Sequence, residues 1–211
     1  MLDNNSFAIG GNLIRKFCTA TVKLLAVNMM TLLFSLPLVT AGAACAAMHT
    51  CLLKVLSKDD DQIGRIFVHA FRANFKQATL LWIPFLLIFA GALADVFVLL
   101  AAPEVLPLGI AIPAVSAAIV AFMIFQYVMP LQARFENSPM NVLKHACILA
   151  VSYFPRTVLM TVLWAVPVYC FLKLTVTWPL VLMFGISLPG YFCARLYRPV
   201  FWKLEDNMEE Q

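Results

Sequence analysis

Hydrophobic residues make up 63% of the 211-residue chain and charged residues only 12%, with a formal net charge of +4. A soluble domain runs nearer about one half apolar and about one quarter charged, and so few charges could not cover a water-soluble fold of this size. The balance excludes an ordinary soluble domain, supplies no basic patch of the kind nucleic acid requires, and implies a chain solvated by lipid.

The opening residues 1–11 are polar and short, without a signal-peptide pattern, so insertion is expected to rely on the first apolar segment. Six apolar runs follow, at about 19–39, 41–56, 78–101, 106–130, 157–172 and 178–196. Each approaches the roughly 20 residues that cross a bilayer as a helix. The expected fold is therefore an all-α membrane protein, one membrane domain over residues 1–211, with six transmembrane helices arranged as three hairpins. Pro37 closes the first run, and the second is short and rich in alanine.

Two stretches between the runs read as basic amphipathic helices lying at the membrane surface, at about 62–76 and 139–150. In the first, Ile63, Ile66, Phe67, Ala70, Phe71 and Phe75 recur at helical spacing, with Arg65, His69, Arg72 and Lys76 mostly on another face. In the second, Val142, Leu143, Ala146 and Leu149 oppose Asn141, Lys144 and His145. Residues 13–23 form a candidate third. Each hairpin is then opened by a basic interfacial segment, a weak internal repeat.

The positive charges fix a direction. Fourteen of the 15 Lys and Arg fall before or early in run one, at the edges of or between runs two and three and runs four and five, or at the end of run six and after it, and Lys173 alone falls on the other side. Cytoplasmic loops carry the excess of Lys and Arg, so both termini are expected in the cytoplasm.

Polar residues inside the runs are few: Asn28, His49, Asp95 and Gln126. Intramembrane polar groups mark solute pathways or tie helices together, and both readings stand here. Asp95 lies two turns from the outer end of its run, within reach of water, and His49 can stay neutral and bond a neighbouring helix. Pro167 and Pro189 lie deepest among the prolines and free backbone carbonyls, which suits a kink or a solute site. Small residues at spacing four (Gly42 and Ala46, Ala90 and Ala94, Ala117 and Ala121) favour close helix packing, with a homo-oligomer or partner interface on spans two and four as the alternative.

Chemical motifs are missing. The six cysteines form no CxxC pair or zinc-spaced cluster and read as small hydrophobes. The patterns of zinc proteases, serine hydrolases and nucleotide-binding loops are not found, and Asp59, Asp60 and Asp61 lack the glycine and distal glutamate of a calcium loop. The expectation is a protein that is not an enzyme and needs no cofactor and no metal.

Residues 28–43 read Asn-Met-Met-Thr-Leu-Leu-Phe-Ser-Leu-Pro-Leu-Val-Thr-Ala-Gly-Ala, and residues 71–79 read Phe-Arg-Ala-Asn-Phe-Lys-Gln-Ala-Thr. These blocks resemble two signatures of the YesL-like family of bacterial integral membrane proteins, whose biochemical function is unassigned. Pro130–Leu131 with 135–138, and Tyr197 to Phe201, are similar to later family segments, so the resemblance extends over nearly the whole chain. Ala41 departs conservatively from the family's frequent isoleucine. The matching positions are Asn28, Pro37, Thr40, Gly42, Phe71, Asn74, Phe75 and Lys76. Thr40 is placed to cap the start of span two, and Gly42 to permit close packing.

The resemblance implies a bacterial plasma-membrane protein associated with carbohydrate ABC-type uptake in an accessory or regulatory role. Its partners would be the lipid bilayer and an ABC-transporter permease or sensor protein, with no nucleic acid. The alternative is a small secondary transporter or channel-like permease.

Overall fold

The computed structural model describes residues 4–57, 62–101, 108–135 and 138–209, with side chains at 14–15, 18–54, 62–101, 111–135 and 138–202. The acidic turn at 59–61, the first residues of the expected fourth run (106–107) and Glu136 and Asn137 of the central family segment lie outside them.

The described chain is helical throughout: α1 (Asn4–Phe34), α2 (Ala41–Ser57), α3 (Ile63–Ala101), α4 (Leu108–Arg134), α5 (Pro139–Ser152), α6 (Phe154–Lys173), α7 (Trp178–Phe184) and α8 (Ser187–Glu209), with short 3-10 turns at Leu38–Thr40 and Thr175–Thr177. Three helices are long and apolar enough to cross a membrane: Ile63–Ala101, Ala111–Arg134 and Phe154–Lys173. The bent pair Thr175–Phe184 and Ser187–Trp202 makes a fourth span when taken as one broken helix, and Cys18–Phe34 and Leu38–Lys54 are shorter apolar helices. In α3 and α6 only 11% of the most apolar window is buried, so these helices turn apolar side chains outward, as a lipid-solvated fold requires. This is an all-α membrane protein.

The centre of the fold is α2, which packs against α1, α3, α4 and α8. Ala43, Ala44, Ala46, Ala47, Met48, Cys51 and Leu52 are all fully buried. Lipid supplies no hydrophobic drive between helices, so close van der Waals contact must hold them, and a helix of alanines lets several neighbours approach at once. Gly42 marks the tightest place: a Cβ there would strike Trp82 Cβ and sit 2.8 Å from the Ala78 carbonyl oxygen. The small-residue spacing of span two is thus spent inside the subunit.

The two surface stretches meet the runs that follow them in different ways. The interfacial stretch 62–76 and the run 78–101 form one continuous helix of 39 residues, α3. At 1.5 Å per residue it extends about 58 Å, near twice the roughly 30 Å hydrocarbon core, so one end has room to leave the core. Arg65, His69, Arg72 and Lys76 are exposed on its first turns. The stretch 139–150 is a separate helix, α5, started by Pro139 at its first turn and by Ser138, whose Oγ accepts the Asn141 N–H at 3.4 Å. It ends at Tyr153 because Pro155 has no N–H and its ring would meet the Val151 carbonyl in a continued helix.

The run 178–196, expected as one span, is broken. The axis bends by 53° between α7 and α8, at Gly185 and Ile186. Pro189 is the local cause: in an unbroken helix its ring would collide with the Gly185 carbonyl, and no N–H would reach that oxygen. A Cβ at Gly185 would also strike the Val181 carbonyl oxygen, so the sharp turn uses a residue without one.

Candidate functional site

A break inside a membrane helix strands backbone groups that lipid cannot satisfy. Here Asn28 of α1 satisfies them. Its Nδ2 donates to the Leu182 carbonyl at 2.7 Å, while its Oδ1 accepts the N–H groups of Ile186 at 3.0 Å and Ser187 at 2.9 Å. One fully buried side chain therefore caps the end of α7 and the start of α8 together. An amide suits this task because it carries donor and acceptor on one planar group.

Beside the break lies a cavity of about 170 Å³ between α2, α4, α6 and α8. Cys45, Met48 and His49 face it from α2, and Phe122, Phe125 and Gln126 from α4, each set at the i, i+3, i+4 spacing that shares one helix face. Met160 and Trp164 close it from α6, Cys193 from α8, and Ile186 from the break itself.

The polar groups of the cavity are held in fixed roles. His49 Nδ1 and the Tyr197 hydroxyl lie 3.0 Å apart, joining α2 to α8 and leaving Nε2 as the free ring nitrogen. Gln126 Nε2 donates to Thr161 Oγ1 at 2.8 Å. Thr161 gives its own proton to the Thr157 carbonyl at 2.9 Å, so its hydroxyl can only accept from Gln126. The amide orientation follows, and Gln126 Oε1 is left buried without a hydrogen bond. Among the described residues no group of three or more His, Cys, Asp or Glu is placed to hold a metal ion, and the six cysteines are free thiols.

The sequence candidates separate into three places. His49 and Gln126 share the cavity. Asn28 does not line it, but its partner Ile186 does. Asp95 stands apart, half-buried in the last third of α3, with no hydrogen bond or ion pair to the described residues. Of the other motif positions, Thr40, Gly42 and Phe71 pack within the α1–α2–α3 unit. Thr40 donates back to the Phe34 and Pro37 carbonyls at 2.7 and 2.8 Å; its hydroxyl closes the end of α1 and does not cap α2. Trp82 Nε1 donates to the Leu38 carbonyl at 2.7 Å and clamps the same turn onto α3.

The aromatic block 71–76 is likewise turned partly inward. Phe71 packs edge-on against Phe34 with centroids 4.8 Å apart and touches Phe75 at 5.4 Å, while Phe75 and Lys76 are exposed. Asn74 receives Gln132 Nε2 at 3.2 Å, tying α3 to α4. Tyr197, Thr161, Gln132 and Ser187 are site residues that sequence reading does not single out. Their partners lie 35 to 159 positions away, and only Tyr197 stands in a family-like segment.

Residues 22–96 match the family described as protein of unknown function, DUF624, a stretch taking in α1 from residue 22, all of α2, and α3 as far as residue 96. No curated protein and no solved structure matches the chain.

Proposed function

We propose that the protein is a non-enzymatic accessory component of carbohydrate ABC-type uptake, a YesL-like protein of the bacterial plasma membrane. In this reading it crosses the bilayer several times, keeps both termini in the cytoplasm, and acts by docking a permease or sensor protein. The observation that carries the reading is how its intramembrane polar groups are used. Asn28, His49 and Gln126 each bond a helix other than their own, at the α7–α8 break, Tyr197 and Thr161 respectively. Groups committed to holding helices together are poor material for a cycle in which a solute must replace them at every turnover.

A second reading, a small secondary transporter or channel-like permease, draws on the broken α7–α8 helix beside the cavity, since interrupted helices build many transporter sites. A sugar is badly served there. Nearly every carbon of a hexose bears a hydroxyl, each needing a partner when buried, and the walls are mainly Met, Phe and Trp.

The test is purification in gentle detergent at native expression. Recovery of an ABC-transporter permease in stoichiometric yield supports the accessory reading. Sugar uptake into proteoliposomes that contain this protein alone would overturn it in favour of the second.

A further inference from the structure

We propose that the cavity between α2, α4, α6 and α8 is a binding site for a small neutral aromatic molecule bearing one hydroxyl or N–H group, of the size of phenol. Its volume, about 170 Å³, sets the scale. A cavity of roughly 150 Å³ lined by apolar side chains takes up benzene, so one ring with one or two small substituents fits this one.

The walls set the class. Phe122, Phe125 and Trp164 offer ring faces and edges, and Met48 and Met160 offer polarisable sulfur that packs well against an aromatic edge. Among the described residues no Asp, Glu, Lys or Arg lines the space, so a charged ligand would be buried without a counter-charge, which is costly in a medium of low dielectric.

The polar complement is small and definite. His49 Nδ1 is occupied by Tyr197, so Nε2 is the ring atom available to a ligand. Gln126 is the second polar residue of the lining, and its Oε1 is a buried acceptor with no partner because Thr161 has fixed the amide the other way round. A buried acceptor left empty costs free energy that a donor of matching reach recovers. A ligand with one hydroxyl satisfies this site, and a polyol or a pure hydrocarbon does not. The inference is independent of the accessory reading, since a docking protein and a carrier could each hold such a ligand.

The experiment uses the full chain in lipid nanodiscs and follows tryptophan fluorescence during titration with 4-bromophenol, a heavy-atom quencher, in wild type and in Trp164→Phe. Partition into lipid alone gives quenching that rises linearly and equally in both proteins, and that result overturns the proposal. A bound site gives a saturable component in wild type that is absent from Trp164→Phe. Phenol should displace it roughly three- to tenfold more effectively than toluene, the worth of one neutral hydrogen bond. Equal displacement by toluene would overturn the polar part of the assignment. Cys45→Met, which fills the space without touching either polar group, should abolish the saturable component, and its survival there would place the ligand elsewhere.

Discussion

Asn28 Oδ1 accepts the backbone N–H of Ser187 at 2.9 Å, so a side chain on α1 provides the first hydrogen bond of α8. Truncation of Asn28 would leave two N–H groups and one carbonyl unpaired in an apolar setting. Each such group costs about 1–3 kcal/mol in principle, though measured intramembrane hydrogen bonds average nearer about 0.6 kcal/mol. Asn28→Ala is expected to lower stability by about 2–4 kcal/mol. Asn28→Asp keeps the shape but loses the donor to Leu182, so it should not rescue. Thermal unfolding in nanodiscs checks both, and a midpoint unchanged in Asn28→Ala would show that the break needs no cap.

Gly42 supplies a second test, of packing. Gly42→Ala places a methyl against Trp82 Cβ and the Ala78 backbone, and neither is the free end of a flexible side chain. The expected loss is about 1–3 kcal/mol, as for other overpacked cores, and Gly42→Leu should prevent accumulation in the membrane. Gly91→Ala is the control, because a Cβ there meets nothing within 4 Å. Equal behaviour of the two alanine variants would refute the close approach of α2 and α3.

Much of the architecture is legible in the sequence, and the reasons differ by residue. Hydropathy alone locates the apolar helices, and the face of α5 is readable from Val142, Ala146 and Leu149, which are buried, against Asn141, Lys144 and His145, which are exposed. The break at Gly185 was signalled by Pro189, but a proline inside an apolar run gives a kink or a break without saying which. What decides is Asn28, whose side chain reaches from more than 150 positions away, and no local pattern carries that information. The same holds for the cavity. His49 and Gln126 are visible as isolated polar residues, whereas their proximity depends on how α2 and α4 pack. The aromatic block 71–75 reads as an outward face for lipid or a partner groove because periodicity finds its apolar face but cannot tell either from the Phe34 ring.

That inward packing changes what Phe71 should do. Phe71→Asp buries a carboxylate beside Phe34 and Phe75, with an expected cost of about 2–4 kcal/mol. Phe75→Asp, at an exposed position, should cost less than about half of that and should chiefly weaken contact with lipid. Aggregation midpoints in detergent and in nanodiscs separate the two. Equal losses at both positions would restore a purely lipid-facing role for the block.

Orientation in the bilayer is testable without any assumption about function. Single cysteines at positions 59, 137 and 207 are expected to face the cytoplasm, and those at 104 and 175 the outside, in a background lacking the native six. Intact cells are labelled with an impermeant thiol reagent. Labelling at 104 and 175 alone is the expected pattern, and labelling at 137 without 104 would sink both the six-crossing path and the cytoplasmic termini.

The last prediction separates an accessory protein from an ion-coupled carrier. A carrier of that kind needs groups whose occupancy changes with each cycle, commonly carboxylates or histidines within the spans. Asp95 and His49 are the two residues inside the expected spans that fit this description. They do not share a site: His49 lies in the cavity bonded to Tyr197, and Asp95 stands on the far third of α3. On α3, before Asp95, Trp82, Phe85 and Phe89 pack with Phe125 of the cavity wall, with ring centroids 5.1 to 6.3 Å apart. Asp95→Asn and His49→Gln are therefore expected to leave growth on candidate sugars within about twofold of wild type when the protein is present at normal abundance, since neither removes more than one neutral hydrogen bond. Growth rate and membrane abundance are measured together, because His49→Gln weakens the link to Tyr197 and lowers abundance to some degree. Loss of growth at undiminished abundance in either variant would reverse the ranking and make the protein a carrier.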